Sequence, residues 1–234
     1  MLPVRDLNPR RRPARVTWTL IAVTVAVFAV QLGLFGQSVA FEALRGGAFL
    51  PAAFVADPLA RAHTLWTSAF LHGDLWHLVG NLFFLGVFGD NVEERLGPLP
   101  FLAFYLAGAA VASLAHGLAS GWSPVPLVGA SGAISAVLGA YVLWFPARRV
   151  QAFVAPLFVP WLLIRALLPV PRFDLWWLPA WLYIGYWALV QLFEAGGSLV
   201  VGDAATSGVA WWAHVGGFAF GLAAGTLRGG DRRQ

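Results

Sequence analysis

The 234-residue chain is 59% hydrophobic and only 11% charged, with a mean hydropathy of +0.72, more apolar surface than a water-soluble domain of this length can hide. Its net charge of +4 rests on Arg clusters that flank apolar runs, Arg10–Arg12 with Arg15, Arg148–Arg149, and Arg228, Arg232 and Arg233, a membrane-topology pattern rather than a nucleic-acid-binding stripe. There is no Cys, which excludes disulfides, thiolate catalysis and Cys-based metal sites.

Residues 1–15 are polar, Pro-containing and basic, and read as a cytoplasmic N-terminal segment. The apolar run Val16–Phe35 follows without a small-residue cleavage site, so it is expected as a retained span. Further helices are expected at Leu75–Phe88, extended by a helical tail to Arg95, and at Phe101–Leu118, Ser131–Phe145, Leu175–Phe193 and Val209–Leu227. The fold class expected is therefore an all-α polytopic membrane protein with six transmembrane helices and no strands. One membrane domain occupies 16–228, and 229–234 form a cytoplasmic tail. The 36–74 connector carries Phe41, Phe49, Phe54, Leu65 and Trp66 and is expected to lie on the outer interface as an amphipathic element.

The stretch Phe153–Val170 is apolar but holds Pro156, Pro160, Pro169 and Arg165. Pro breaks the helix ladder, and an Arg at mid-bilayer costs at least about 3 kcal/mol on insertion scales. An interfacial or re-entrant segment is expected there. Six spans then leave both basic termini on one side, with Glu93–Arg95 and Arg148–Arg149, while 36–74, 119–130 and 196–208 face outward. A prokaryotic plasma membrane with both termini cytoplasmic is the location expected on these grounds.

Polar groups inside spans are costly and therefore candidates for function. His77 and Asn81 lie in the second span, Ser131 heads the fourth and His214 lies in the sixth. These three spans start from the same side, so at 1.5 Å rise per residue all four groups fall within about 9 Å of that surface. His77 and Asn81 share a face at i, i+4. His214 shares a stripe with Gly217, Gly221 and Gly225, and Ser131 shares one with Ser135 and Gly139, beside Gly132, Ala136 and Ala140. Small residues four apart let helices approach closely in lipid, which predicts contact between the Ser131 hydroxyl and His214. Singly, each group has an ordinary reading: a Ser bonded one turn back, a His or Asn joining helices, a Gly stripe for packing. Their common depth argues for function.

A Ser hydroxyl becomes a nucleophile when an adjacent base takes its proton, and neutral His does this near pH 7. The tetrahedral intermediate needs donors for its oxyanion. Asn81, the His77 ring and the Ser131 backbone N–H are the candidates, with Gly129 and Gly132 leaving room beside the nucleophile. The acidic residues lie outside this layer, so a Ser–His dyad is expected rather than a triad.

These residues carry a resemblance to the rhomboid intramembrane proteases. Gly129-Ala130-Ser131-Gly132 resembles the family's GxSG nucleophile motif, and Ala213-His214-Val215-Gly216-Gly217 with Gly221 its AHxxGxxxG helix. His77-Leu78-Val79-Gly80-Asn81 is similar to the HxxxN motif, and Glu93-Glu94-Arg95 to the structural ExR motif. The resemblance runs from about Thr64 to Leu227. It implies a six-helix core around a water-filled cavity and a Ser131–His214 dyad without metal or cofactor. It also implies an oxyanion site at His77 and Asn81, and cleavage of membrane proteins near the ends of their spans. Substrate is implied to approach laterally near the second and fifth helices, under a cap formed by 196–208. A monomer suffices for such chemistry, and the partners are transmembrane protein substrates and the bilayer. Two departures stand out. Ser135 occupies the position where many members carry a Tyr that packs on the base, which leaves Trp211 or Trp212 as candidates for orienting His214. The Trp-Arg pair often found in the first loop is absent.

Rival classes lack their motifs: there is no HExxH for zinc proteases and no GxGD for aspartyl types, and position 133 is Ala where soluble Ser hydrolases have the last residues of GxSxG. A transporter would need ion-coupling charges in the polar layer. The remaining alternative is a catalytically silent scaffold that binds membrane helices.

Overall fold

The computed structural model describes residues 1–34, 46–153, 175–201 and 210–227. The chain is mostly helical, and among the described residues six helices reach 14 residues or more. In chain order the helices are α1 (Arg15–Leu34), the short α2 (Pro51–Ala56), α3 (Pro58–Arg61) and α4 (Thr64–Thr67), then α5 (Leu75–Leu96), α6 (Pro98–Ala119), α7 (Ser131–Trp144), α8 (Ala180–Val201) and α9 (Trp211–Leu227). By length and composition, α1 over Arg15–Leu32 and α6 over Pro98–Ala119 qualify as membrane spans, and α7 is a shorter apolar helix.

The boundaries follow local chemistry. Asp74 takes an extended conformation and accepts the His77 N–H at 2.9 Å, capping α5. Gly97 at φ 84° ends that helix, and Pro98 immediately opens α6. The start of α1 has a carboxylate from elsewhere. The buried Glu93 accepts the Val16 N–H at 2.9 Å, the Thr17 N–H at 2.7 Å and the Thr17 hydroxyl at 2.8 Å. First-turn N–H groups have no partner within their own helix and carry the positive end of its dipole, so one anion answers both demands. Its neighbour Glu94 takes the N–H groups of Arg11 and Arg12. Arg95 lies over the Trp144 ring at 4.8 Å, and the Trp144 indole N–H donates to the Gly225 carbonyl at 3.0 Å. The Glu93-Glu94-Arg95 run thus ties α1, α5, α7 and α9 together at one end of the bundle.

The expected all-α fold is corrected by a small three-stranded antiparallel sheet in the order β1 (Leu2–Asp6), β2 (Arg149–Phe153), β3 (Leu175–Pro179). Residues 175–179, expected to open the fifth span, pair with β2 instead, so α8 starts at Ala180. It also continues to Val201, past the expected end at Phe193, which shortens the 196–208 loop from its start. The sheet is fastened to the helices by Tyr141, whose hydroxyl donates to Asp6 at 2.5 Å, by Asn91, which donates to the same carboxylate at 3.0 Å, and by Tyr183, whose hydroxyl donates to the Met1 carbonyl. Beneath it Phe88, Tyr141 and Tyr183 form a buried aromatic cluster. Of the expected Pro-rich segment, 154–170 lies outside the described residues, as do 202–209 and the C-terminal tail from 228.

The described part of the first connector folds as α2–α4 against the α6–α7 turn. Phe49 and Leu127 form a β-bridge, Phe54 stacks on Trp122 at 6.3 Å, and Thr67 donates to the Gly47 carbonyl at 2.7 Å. These contacts anchor a loop for which the sequence named no anchor.

The centre of the bundle is the α7–α9 contact. A Cβ on Gly221 would strike the Ala136 carbonyl, and one on Gly217 the Gly132 carbonyl. In the other direction a Cβ on Gly139 would meet the Phe218 carbonyl. The stripes expected from the sequence therefore interlock backbone to backbone. Large apolar side chains point outward around the rim, among them Trp76, Leu99, Phe193 and Leu227, as lipid as solvent would allow. Glu93→Ala is expected to lower the unfolding free energy in detergent by about 3 kcal/mol, because three donors, the two on Thr17 buried, lose a charged acceptor; chemical unfolding of the two proteins side by side measures it.

Candidate active site

At the first residue of α7, Ser131 precedes the first intrahelical bond, which the Ile134 N–H makes to the Ala130 carbonyl at 3.0 Å. The N–H groups of Ser131, Gly132 and Ala133 therefore stand at the positive end of the helix. His214 lies in the first turn of α9. Its Nε2 is 2.8 Å from the Ser131 hydroxyl oxygen, and its Nδ1 is 2.6 Å from Oε1 of Gln191 on α8. The structure thus brings Ser131 and His214 into hydrogen-bond contact through the interlocked α7 and α9.

Gly129 has φ 120°, a conformation open to glycine and strained for side chains. Its N–H donates to the Ser68 carbonyl at 2.9 Å. A Cβ there would lie 2.7 Å from His77 Nε2, so the imidazole packs directly on the Gly129 backbone. Asn81 follows one turn on, buried, and both line the same cavity as Ser131. That cavity holds about 580 Å³ and is walled by Trp76, His77, Asn81, His116, Ser131, Trp187 and His214, among others. Gly132 lies against Ala112 of α6 and, like Gly217 and Gly221, serves close packing.

Three residues escaped the sequence reading. His72, in the connector before α5, is buried, and its Nε2 accepts from the Asn81 amide at 2.9 Å. The ring stands edge-on to His77 with centroids 5.0 Å apart. Its backbone is clamped by Gln31 of α1, which both donates to the His72 carbonyl and accepts its N–H. An i, i+4 search along one helix does not find such a residue; its neighbourhood to Asn81 arises only when the connector folds back. His116 enters the cavity from the last turn of α6, fifteen residues before Ser131 in the chain. Gln191 carries the signal that singled out the others, an amide in an apolar helix, but on a span running the opposite way.

Ser135 is fully buried, and its hydroxyl donates to the Ser131 carbonyl at 2.6 Å. It therefore makes the back-bond common for Ser in helices, directed to the Ser131 carbonyl and not to His214. The aromatic neighbours of His214 are Trp187, tilted at 6.1 Å, and Trp211, edge-on at 6.1 Å.

Burial, and then the neighbouring His77, push the His72 imidazole down to about 4. A His depressed in the folded state stabilises the fold fully above its ordinary value near 6.5, and that contribution is lost as pH falls through about 4. A His72→Phe variant is accordingly expected to show a flatter stability profile between pH 6.5 and 4 than the wild type, read by thermal unfolding in detergent at matched ionic strength.

Residues 60–230 match the Rhomboid domain family. Among similar proteins, Rhomboid protein 1, mitochondrial, of Saccharomyces cerevisiae is 30% identical over 155 residues, which are 63% of this chain and 41% of the yeast protein. The RHOMBOID-like protein 12, mitochondrial, of Arabidopsis thaliana is 37% identical over 94 residues, 33% of this chain and 28% of the plant protein. The human Presenilin-associated rhomboid-like protein, mitochondrial, is 28% identical over 109 residues, 45% of this chain and 29% of the human one. The chain spans less than half the length of these relatives. All three are mitochondrial by name, which overturns the expected plasma membrane and, with it, the assignment of the termini to the cytoplasm.

Proposed function

The chain belongs to the rhomboid family, and from that premise we propose that it is an intramembrane serine endopeptidase acting on membrane proteins through Ser131 and His214. The observation that carries this reading is the 2.8 Å contact between His214 Nε2 and the Ser131 hydroxyl beside a cavity. The six long helices are read as the membrane spans. The relatives' names favour a mitochondrial membrane.

Ser131 attacks the scissile carbonyl carbon while its proton passes to His214 Nε2, forming the C–O bond and placing negative charge on the former carbonyl oxygen. The Ser131 N–H at the helix start, with donors from Asn81 and His77, receives that oxyanion. One amide hydrogen of Asn81 is taken by His72, which aims the side chain and leaves the other hydrogen free. Collapse of the intermediate breaks the C–N bond, and His214 returns the proton to the leaving amine. Water then attacks the acyl ester, giving a proton to His214; the ester C–O bond breaks as His214 passes that proton to the Ser131 oxygen, releasing the carboxylic acid and restoring the hydroxyl. The lateral side between α5 and α8 supports access for a membrane helix: Trp76, Gly80 and Phe84 of α5 and Trp187 of α8 all line the cavity.

The test is reaction of purified, lipid-reconstituted protein with a fluorophosphonate, together with cleavage of a single-span substrate. The wild type is expected to be labelled at Ser131 and to cleave, while Ser131→Ala and His214→Ala do neither. A folded wild-type protein that neither labels nor cleaves, but retains bound membrane helices, would establish the scaffold instead. Asn81→Ala is expected to lower kcat by about 10²–10³ if its amide serves the oxyanion.

A further inference from the structure

Resting on the protease reading above, we infer that Gln191 is the positioning residue for the catalytic base, so that the working unit is a Ser131–His214–Gln191 relay spread over three helices. Gln191 is 7% exposed, and its Oε1 lies 2.6 Å from His214 Nδ1. An amide oxygen only accepts, so Nδ1 carries the hydrogen and donates it. Neutral imidazole has a single N–H, and Nε2 is thereby left with its lone pair facing the Ser131 hydroxyl at 2.8 Å. The opposite tautomer would turn an Nε2–H onto the Ser131 oxygen, leaving no lone pair there to take the hydroxyl proton, and would strand the lone pair of Nδ1 against an amide oxygen. Soluble Ser hydrolases achieve the same selection with a carboxylate; here a neutral amide does it, at no cost of burying an anion in the bundle.

The surroundings leave this task to Gln191. Ser135, one turn beyond the nucleophile, spends its hydroxyl on the Ser131 carbonyl. Trp187 and Trp211 limit where the ring lies, but their faces and edges do not choose between the two nitrogens. Trp187 and Gln191 are four residues apart on α8, so one face of that helix supplies both the wall and the acceptor. Among the described residues, the other titratable groups lining the cavity are Asp74 at the cap of α5, His77 of α5 and His116 of α6; none of them is the hydrogen-bond partner of Nδ1.

Two variants separate orientation from packing. Gln191→Leu keeps most of the volume and removes the acceptor; Gln191→Glu keeps an acceptor and adds charge. In wild-type protein carrying ¹⁵N-labelled His in bicelles, the His214 resonances, assigned by their loss in His214→Ala, are expected to report the Nδ1–H tautomer. Gln191→Leu should shift them toward the Nε2–H form. It should also lower kcat on the order of 10–100-fold with KM little changed, less than the 10²–10⁴ that general-base catalysis contributes. Gln191→Glu should hold the Nδ1–H tautomer, recover kcat relative to the Leu variant, and move the acidic limb of the pH–rate profile upward, since a carboxylate favours imidazolium. A merely structural residue would leave both the tautomer and the position of that limb unmoved. Unchanged tautomer in Gln191→Leu, or wild-type kcat with a wild-type pH profile, overturns the inference. If wild-type protein itself fails to react with the fluorophosphonate, the protease reading falls, and the tautomer measurement still decides whether Gln191 orients His214.

Discussion

The close backbone approach of α7 and α9 is the constraint on which the rest depends. Where a Cβ would strike a facing carbonyl at Gly217 and Gly221, the two helices are as near as main chain allows. Lipid supplies no hydrophobic force between apolar helices, so their association draws on such packing. The consequence is geometric: with the helices locked at this separation, side chains as short as Ser131 and His214 bridge them directly. A wider spacing, with larger residues in the stripe, would leave hydroxyl and imidazole out of reach whatever their chemistry.

Around that seam, buried polar groups are answered across elements rather than within them. Glu93 of α5 caps α1, Gln31 of α1 clamps the His72 backbone, His72 holds Asn81, and Asn91 with Tyr141 hold Asp6. Each bond joins two separate segments, and all but the His72–Asn81 bond span a long stretch of sequence. In a medium where an unmet donor is costly, these bonds fix register as well as energy. They lead from α1 to the Asn81 side of the cavity in two steps, Gln31 to His72 and His72 to Asn81.

The helical part of this arrangement was legible because helices announce themselves locally. Ser131, His77, Asn81 and the glycine stripes are periodic along single helices, and the interlocking face could be written down before any partner was known. The strands were not legible. Leu2–Asp6 contains Pro3 and Arg5, and 175–179 is an apolar run that reads equally well as the first turn of a span. Their pairing with 149–153 is a long-range fact with no local period. His72 was missed for the same reason, lying in a connector whose course no periodicity dictates. Gln191 was a different kind of miss: the depth argument covers helices starting from the site's own side, whereas Gln191 sits midway along the oppositely directed α8 and still reaches His214.

The absence of a Tyr at position 135 is where local pattern and site chemistry part company. Reading one helix at a time, Ser135 looked like a lost support for the base, and the Trp residues of α9 were the nearest substitutes. The structure sets two side chains of α8 against His214, Trp187 through a ring contact and Gln191 through a hydrogen bond. An aromatic face on α7 would restrain the ring plane alone, whereas an acceptor on α8 also restrains the proton. The inner face of α7 is lined by small residues, Gly132, Ser135, Ala136 and Gly139, all buried.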